Sequence, residues 1–398
     1  MRLVSLLEFP IHGSVKPGFE RVAEAFGKNF TEDIDVGAGF CVYQGDETLV
    51  DLWGGYTDRN YSGLWNESTL VNVYSTSKGM ASLVVAMAVE AGLLSYDAPV
   101  SDYWPELRAG QNGLTVGQLL SHQGGLCGIE KPLQVTDLYD WERMVALLEA
   151  QEPLWTPGTI AGYHAITWGY LAGELVRRTL GAQLASQTLG QIFADKVALV
   201  LNADVHIGLP EQDMSRVADL ISPRQARSYA AIPVDEGAAV ELSHWYKLSL
   251  MNPLIGPYRD VSTTDWRRAE IPAANGHATA KGIARVYASL ANDGVFRGKR
   301  ILEQDTILAA TRVEVGVVKD AVLQRTVRRG RGFILNTDSA YGPNNSAFGH
   351  SGAGGSLGFA DPVQRIGFAY VMNQMQGDLN SDEVSRAGRL VSALYSCL

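Results

Sequence analysis

Cysteine is scarce in this chain of 398 residues, and the three present are poorly placed for cross-linking. Cys41, Cys127 and Cys397 are odd in number and widely spaced. That excludes a disulfide framework, offers no metal-ligand pattern and fits a reducing compartment. Long apolar runs are also missing. The longest internal one, Leu83–Val89, is too short to span a bilayer. The apolar run in MRLVSLLEFPIHG is too short for a signal peptide and is closed by Glu8. Positive charge is in deficit. With 33 Lys and Arg against 43 Asp and Glu, the formal net charge is −10, which argues against nucleic acid and anionic membrane surfaces as partners. There is no internal repeat and no low-complexity tract. What these absences leave is the expectation of a soluble cytoplasmic protein.

Hydrophobic residues make up 46% of the chain and there are 42 glycines, an ordinary globular composition. The length exceeds what most single cores hold, so two domains are expected. PGFERVAEAFGKNF, residues 17–30, reads as a helix opened by Pro17. Apolar runs on either side of Gln44–Gly45–Asp46–Glu47 predict a hairpin of Phe40–Tyr43 with Thr48–Trp53. From about Ser75 to Val240 the pattern is mainly helical, as at Gly79–Leu93, Trp141–Ala150 and Thr167–Leu180, and a further helix is expected at Ala280–Asn292. Late strands are expected at Gly332–Leu335, Ala347–His350, Ser356–Ala360 and Gly367–Met372. A last helix should open on the capping pair Asn380 and Glu383, with Val384, Ala387, Val391 and Leu394 as its apolar face. The economical fold is α+β: one sheet from residues 1–74 and 245–398, flanked by the terminal helices, with a mainly helical domain at 75–244 inserted.

Three segments carry candidate chemistry. In VNVYSTSKGMAS, Ser75 stands three residues before Lys78 where a hydrophobic helix begins. Residues three apart share a helical face. The first turn offers free N–H groups and the positive end of the dipole. A serine hydroxyl needs a neighbouring base, and a lysine serves when burial lowers its pKa. The competing reading is an N-cap serine and a solvated lysine. In WTPGTIAGYHAITWGY, Pro157–Gly158 make a turn and Tyr163 lies on a short loop before the helix. A tyrosine near a lysine can lose its proton more easily and act as a general base; the alternative is a packed aromatic. In FGHSGAGGSLGFADP a strand runs into His350–Ser351–Gly352 and a glycine-rich turn. Glycines there allow close approach of a ligand to the strand, or simply make a bulged hairpin.

In this order the segments resemble the serine β-lactamase/penicillin-binding-protein fold, and most closely its family VIII carboxylesterases. The residues carrying the match are STSK at 75–78, LLSHQGGL at 119–126, PGTIAGYHAITWGYLAGELV at 157–176, ANGHATAKGIARVYASLANDG at 274–294 and GHSGAGGSLGFADP at 349–362. The resemblance covers nearly the whole chain and implies an antiparallel sheet flanked by terminal helices, plus a helical domain. It implies Ser75 as acylated nucleophile, Lys78 as its proton-accepting neighbour and Tyr163 as the residue that shuttles a proton with that lysine. The backbone N–H groups of Ser75 and Ala353 would form the oxyanion hole. His350, Ser351 and Gly352 would contact substrate on the edge strand, with His164 a further candidate contact.

Two departures bear on substrate. Typical class C β-lactamases carry asparagine two residues after the tyrosine, where this chain has Ala165. The lysine of their Lys-Thr-Gly strand is replaced by His350. That lysine supplies a positive charge for a substrate carboxylate, and a histidine is mostly neutral at pH 7. Both changes favour uncharged esters; the resemblance implies short acyl groups, because the cleft between two domains of this architecture is usually open and is not a lipid groove. Gly354–Gly355–Ser356–Leu357–Gly358 fits the G-x-S-x-G elbow of another hydrolase fold, which needs a histidine after the serine in the chain. The last histidine here is His350, before Ser356. His122 reads as structural, and His164 and His277 as candidates to line the cleft. No metal and no cofactor is expected, because no cluster has ligand spacing and no phosphate loop follows a strand. The implied partner is a small-molecule ester, with neither nucleic acid nor membrane, and self-association into a homodimer is allowed. Alternatives on the same residues are a β-lactamase, a D-amino-acid peptidase or an acyltransferase; outside catalysis, a binding or sensor protein.

Overall fold

Alternation along the strands decides the architecture. The structure, a computed structural model, describes residues 9–32, 35–180, 187–222, 243–376 and 385–398. Strands β1 Ile11–Val15, β2 Gly37–Gln44 and β3 Glu47–Gly55 come from the N-terminal part. Strands β4 Val315–Lys319, β5 Thr326–Arg329, β6 Ile334–Leu335, β7 Phe348–Ser351, β8 Leu357–Asp361 and β9 Ile366–Met372 come from the C-terminal part. They form one nine-stranded sheet in the order β1-β3-β2-β9-β8-β7-β6-β5-β4. Every pairing is antiparallel, and the seam between the two parts runs from Ile366 opposite Gln44 to Met372 opposite Ala38.

The main helices are α1 Glu20–Thr31, α2 Ser77–Glu90, α3 Trp141–Ala150, α4 Thr167–Thr179, α5 Ala280–Ala291, α6 Gln304–Thr311 and α7 Arg386–Tyr395. Successive strand residues face opposite sides. Phe40 and Val42 of β2, with Phe368 and Tyr370 of β9, therefore join Phe26 of α1 and Leu390 of α7 in one core. Truncating Phe40 or Phe368 to alanine there would cost about 3–5 kcal/mol. Cys41, Tyr43, Ala369 and Val371 face the other way, into a core shared with α5, α2 and α4. That face is paved with small residues. A Cβ on Gly367 would lie 2.2 Å from the Ala288 nitrogen, and one on Gly358 would lie 2.6 Å from the Tyr287 ring. The backbone of α5 thus rests almost directly on the sheet.

The expected helices and strands are present within a few residues, with two differences at the ends. The first helix begins at Glu20, three residues after Pro17. The last begins at Arg386, capped by the Ser385 side chain, which accepts from the Gly388 N–H; Asn380, Glu383 and Val384 lie outside the described residues. Three strands lacked a readable pattern. IHGSV of β1 is almost wholly exposed, VGVVK of β4 is exposed beyond its first residue, and β5 spends two of its four positions on arginine. Among the described residues no helix is long and apolar enough to cross a membrane.

Candidate active site

Helix α2 is apolar on nearly every side, and all residues from Ser77 to Ala86 are buried in it. It runs through the middle of the core, packed on α4 and α6. Its N-terminus therefore cannot be open to water except where the chain enters. Ser75 sits at that entry, the one residue between Val71 and Met80 that is not buried. The turn before the helix is tight. Tyr74 adopts φ +42°, Thr76 N–H bonds to the Val73 carbonyl, and Lys78 N–H bonds to the Ser75 carbonyl. Ser75 lies just outside the helix and Lys78 in its first turn, on the shared face that the spacing predicts.

Lys78 is fully buried. Its Nζ is 3.2 Å from Ser75 Oγ, 2.7 Å from the Ala165 carbonyl and 3.0 Å from the Ala273 carbonyl. A neutral amine would donate its two N–H groups to the carbonyls and keep its lone pair for the Ser75 hydroxyl. Burial, reinforced by the Arg329 guanidinium, holds the Lys78 pKa well below the usual lysine range. The opposite wall is Tyr163, whose hydroxyl donates to Ser75 Oγ at 2.8 Å. Here the structure corrects the sequence-based expectation. Lysine does not make this tyrosine more acidic: burial pushes its pKa up to about 12 despite the bond to Ser75. A phenol held up there carries its proton near neutrality.

The Tyr163 loop is sewn down by its main chain. Asp320 Oδ1 accepts from Tyr163 N–H at 3.2 Å, and Ser249 Oγ donates to the Tyr163 carbonyl at 2.7 Å. His122 Nδ1 accepts from His164 N–H at 3.0 Å. His164 Nε2 accepts from Leu126 N–H at 3.0 Å, while its Nδ1 lies 2.6 Å from the Gly162 carbonyl. Both rings must be neutral to accept from an amide. Burial agrees, lowering His122 well below the usual histidine range and His164 to about 3. His164 is thus a fastener between two loops. With both nitrogens committed to main chain and the residue fully buried, it does not face substrate. His277 is fully buried too, in a short sheet where it pairs with Asn72 and His206, and does not open on the cleft.

The 349–358 hairpin closes the third side. His350 is 2% exposed, its ring 6.2 Å from that of Tyr163 and its Nδ1 2.7 Å from the Ser351 carbonyl. Burial, with Lys78 next in effect, holds it well below the usual histidine range. Ser351 is half-buried at the end of β7. A Cβ on Gly352 would meet the Val73 carbonyl at 2.1 Å, so only glycine lets the strand come this close to the Ser75 turn. Ala353, half-buried, starts the turn that Gly354 and Gly355 complete with positive φ. Ser356 is buried; its hydroxyl donates to the Val73 carbonyl at 2.8 Å and lies 3.0 Å from Thr76 Oγ1. It is a strut between the hairpin and the turn, with no base beside it.

Two further residues had no signal in the sequence. Asp320 and Arg329 form a fully buried ion pair at 2.5 Å, with the Arg329 guanidinium 5.9 Å from the Tyr163 ring centre. RTVRRGRG reads as an exposed charge run, and nothing in it marks Arg329 and Arg331 as buried. Among the described residues no group of three or more His, Cys, Asp or Glu is placed to hold a metal ion.

An antiparallel sheet between helices, with a serine, a lysine and a tyrosine converging at the start of a buried central helix, is the architecture of one family. A family model described as beta-lactamase matches residues 26–392, and the chain belongs to that family. Within it, the chain is similar to a crystal structure of a family VIII carboxylesterase, 43% identical with a TM-score of 0.89, covering 98% of this chain and 100% of that one. It is similar to a penicillin-binding protein homolog from Caulobacter crescentus, 36% identical with a TM-score of 0.86, covering 98% and 100%. It also matches a protein from Mycobacterium tuberculosis named Esterase/beta-lactamase LipL, 32% identical over 93% of this chain and 84% of that one.

Proposed function

We propose that the protein is a serine carboxylesterase that cleaves short-chain acyl esters through an acyl-enzyme on Ser75. One observation carries this: Ser75 Oγ lies within hydrogen-bond reach of both a buried lysine of lowered pKa and a tyrosine hydroxyl. Neutral Lys78 accepts the Ser75 proton as Oγ attacks the ester carbonyl. The N–H groups of Ser75 and Ala353 receive the oxyanion. The departing alkoxide takes a proton from Tyr163, which Lys78 resupplies. Water then attacks the acyl group, its proton passing through Tyr163 to Lys78, and the free serine is restored. His350, Ser351 and Gly352 form the edge against which substrate lies. The names of two similar proteins, a carboxylesterase and an esterase/beta-lactamase, support the ester reading.

The cleft lies between a sheet domain of residues 1–74 and 245–398 and a helical domain of residues 75–244. A cytoplasmic setting is supported by Cys41, Cys127 and Cys397, all free thiols. Hydrolysis of a nitrophenyl ester series from acetyl to decanoyl, set beside a chromogenic cephalosporin, tests the function. The expected profile peaks at short acyl chains. Turnover of the cephalosporin with no ester hydrolysis would replace the proposal with a β-lactamase.

A further inference from the structure

Four stretches of chain meet at the turn that carries Ala353. Arg386 opens α7, yet it is 2% exposed. The fully buried Asp35, just before β2, accepts from Arg386 Nη1 and also from the Tyr370 hydroxyl of β9. Arg386 Nη2 donates to the Gln374 carbonyl at 2.6 Å and to the Gly354 carbonyl at 3.4 Å, and its Nε donates to Gln376 Oε1 at 3.4 Å. The Gln376 N–H donates to the same Gly354 carbonyl at 2.9 Å. Taking a guanidinium and a carboxylate out of water costs about as much as their attraction returns, so stability alone does not account for the pair.

What this cluster holds is the turn. Gly352–Gly355 closes on itself, the Gly355 N–H donating to the Gly352 carbonyl at 3.1 Å. In a trans peptide the N–H points opposite to the carbonyl of the same unit, so the Ala353 N–H is directed out of the turn. Gly354 and Gly355 adopt φ of +89° and +120°. Two successive glycines leave a loop soft. The internal bonds set the shape of the turn, but its angle to the rest of the molecule is set from outside. The Gly354 carbonyl has its two donors, and a Cβ on Gly354 would lie 2.8 Å from Met375 Cγ.

We infer that Arg386, braced on Asp35, is a positioning residue for the oxyanion hole: it fixes the turn so that the Ala353 N–H stays aimed at the oxygen that develops charge over Ser75. The inference rests on the ester hydrolase reading above and deepens it. Sealed from solvent, Arg386 does not touch substrate and acts through the Gly354 and Gln374 carbonyls. Losing an oxyanion donor outright costs about 10²–10³ in kcat, so a loosened one should cost about ten- to a hundredfold. Binding of the uncharged ground state should hardly change, which puts the loss in kcat rather than KM.

Removing one partner would strand a buried charge, so the test removes the pair whole, as Asp35→Asn with Arg386→Met. The readout is the kcat ratio of a nitrophenyl ester to its thionoester, whose sulfur accepts hydrogen bonds weakly. Such a ratio is independent of the fraction folded. It should fall about tenfold in the double variant, with KM for the ester within about twofold of wild type. Arg386→Lys keeps the charge against Asp35 and loses the planar fork, and its ratio should fall about threefold. Should the double variant fail to fold, Arg386→Lys carries the test. An unchanged ratio in the variant that folds, whatever its melting temperature, reduces the cluster to scaffolding and overturns the proposal. Butylboronic acid needs no turnover: Ser75 Oγ adds to boron, its proton passes to Lys78, and a boron-bound oxygen takes the oxyanion position. Its affinity, by calorimetry, should drop about tenfold in the double variant. That drop, with no hydrolysis of any ester by the wild type, would sink the esterase proposal and leave the brace standing.

Discussion

Two serines lie within one hydrogen-bonded patch of this molecule, and only one is equipped to react. Ser75 is partly open, with an amine at 3.2 Å and a phenol at 2.8 Å. Ser356 sits in a five-residue pattern that advertises a nucleophile in another fold, yet it is buried against a carbonyl and a threonine hydroxyl. Thr76, next in sequence to Ser75, touches both groups of residues. The difference lies in the neighbours: a hydroxyl becomes a nucleophile where a buried base can take its proton, and becomes a strut where its partners are a carbonyl and another hydroxyl.

The largest expected effects are on the two serines themselves. Ser75→Ala should lower ester turnover by about 10⁶ while leaving the denaturation midpoint near wild type. Ser356→Ala should keep most activity and lose about 1–3 kcal/mol of stability, because Thr76 and the Val73 carbonyl lose a partner. Kinetics and urea denaturation on both variants check the contrast. A dead Ser356→Ala beside an active Ser75→Ala would invert it.

Next in size is the effect of removing the base. Lys78→Ala should cost roughly 10⁴ or more in kcat, and adding Tyr163→Phe should cost little further, because the pair hands on one proton. Losses that simply add in log rate would make the two residues independent.

A smaller effect follows pH. The depressed Lys78 pKa means the amine is neutral, and able to accept, at pH values where an ordinary lysine is charged. The kcat/KM for a neutral ester should therefore fall as pH drops through the Lys78 pKa and level off above it. Tyr163, at about 12, should contribute no limb near neutrality. A profile that climbs only toward pH 12 would transfer the base role to the tyrosine.

The smallest expected effect is none. His350 is buried and held far below the usual histidine range. The ratio of cephalosporin to ester turnover should accordingly stay flat from pH 5.5 to 8. A rise in that ratio on acidification would show that His350 gains a proton and meets the substrate charged.

Ser75, Lys78 and Tyr163 were legible because nucleophile and base stand three residues apart at a helix start and the tyrosine follows a Pro-Gly turn. The lysine amine and the tyrosine hydroxyl both reach the Ser75 hydroxyl. His164 was misread because a histidine beside such a tyrosine looks the same in sequence whether it faces a cleft or a carbonyl. Asp320, Ser249 and Arg329 were invisible because they act from distant segments, the first two through the main chain of the Tyr163 loop. β1 and β4 were missed for a simpler reason. Strands exposed along most of their length have no burial to impose a pattern.

The Lys78 amine is aimed by two carbonyls from separate stretches of chain, Ala165 and Ala273. The amine is held by both only when each stretch has docked beside α2. A partly folded molecule therefore carries Ser75 as an ordinary, unreactive alcohol. It gains its nucleophile only when the last of these pieces arrives. Reactivity at one side chain becomes a report on the completion of the whole fold, and a fluorophosphonate that labels Ser75 would count native molecules in a mixed population.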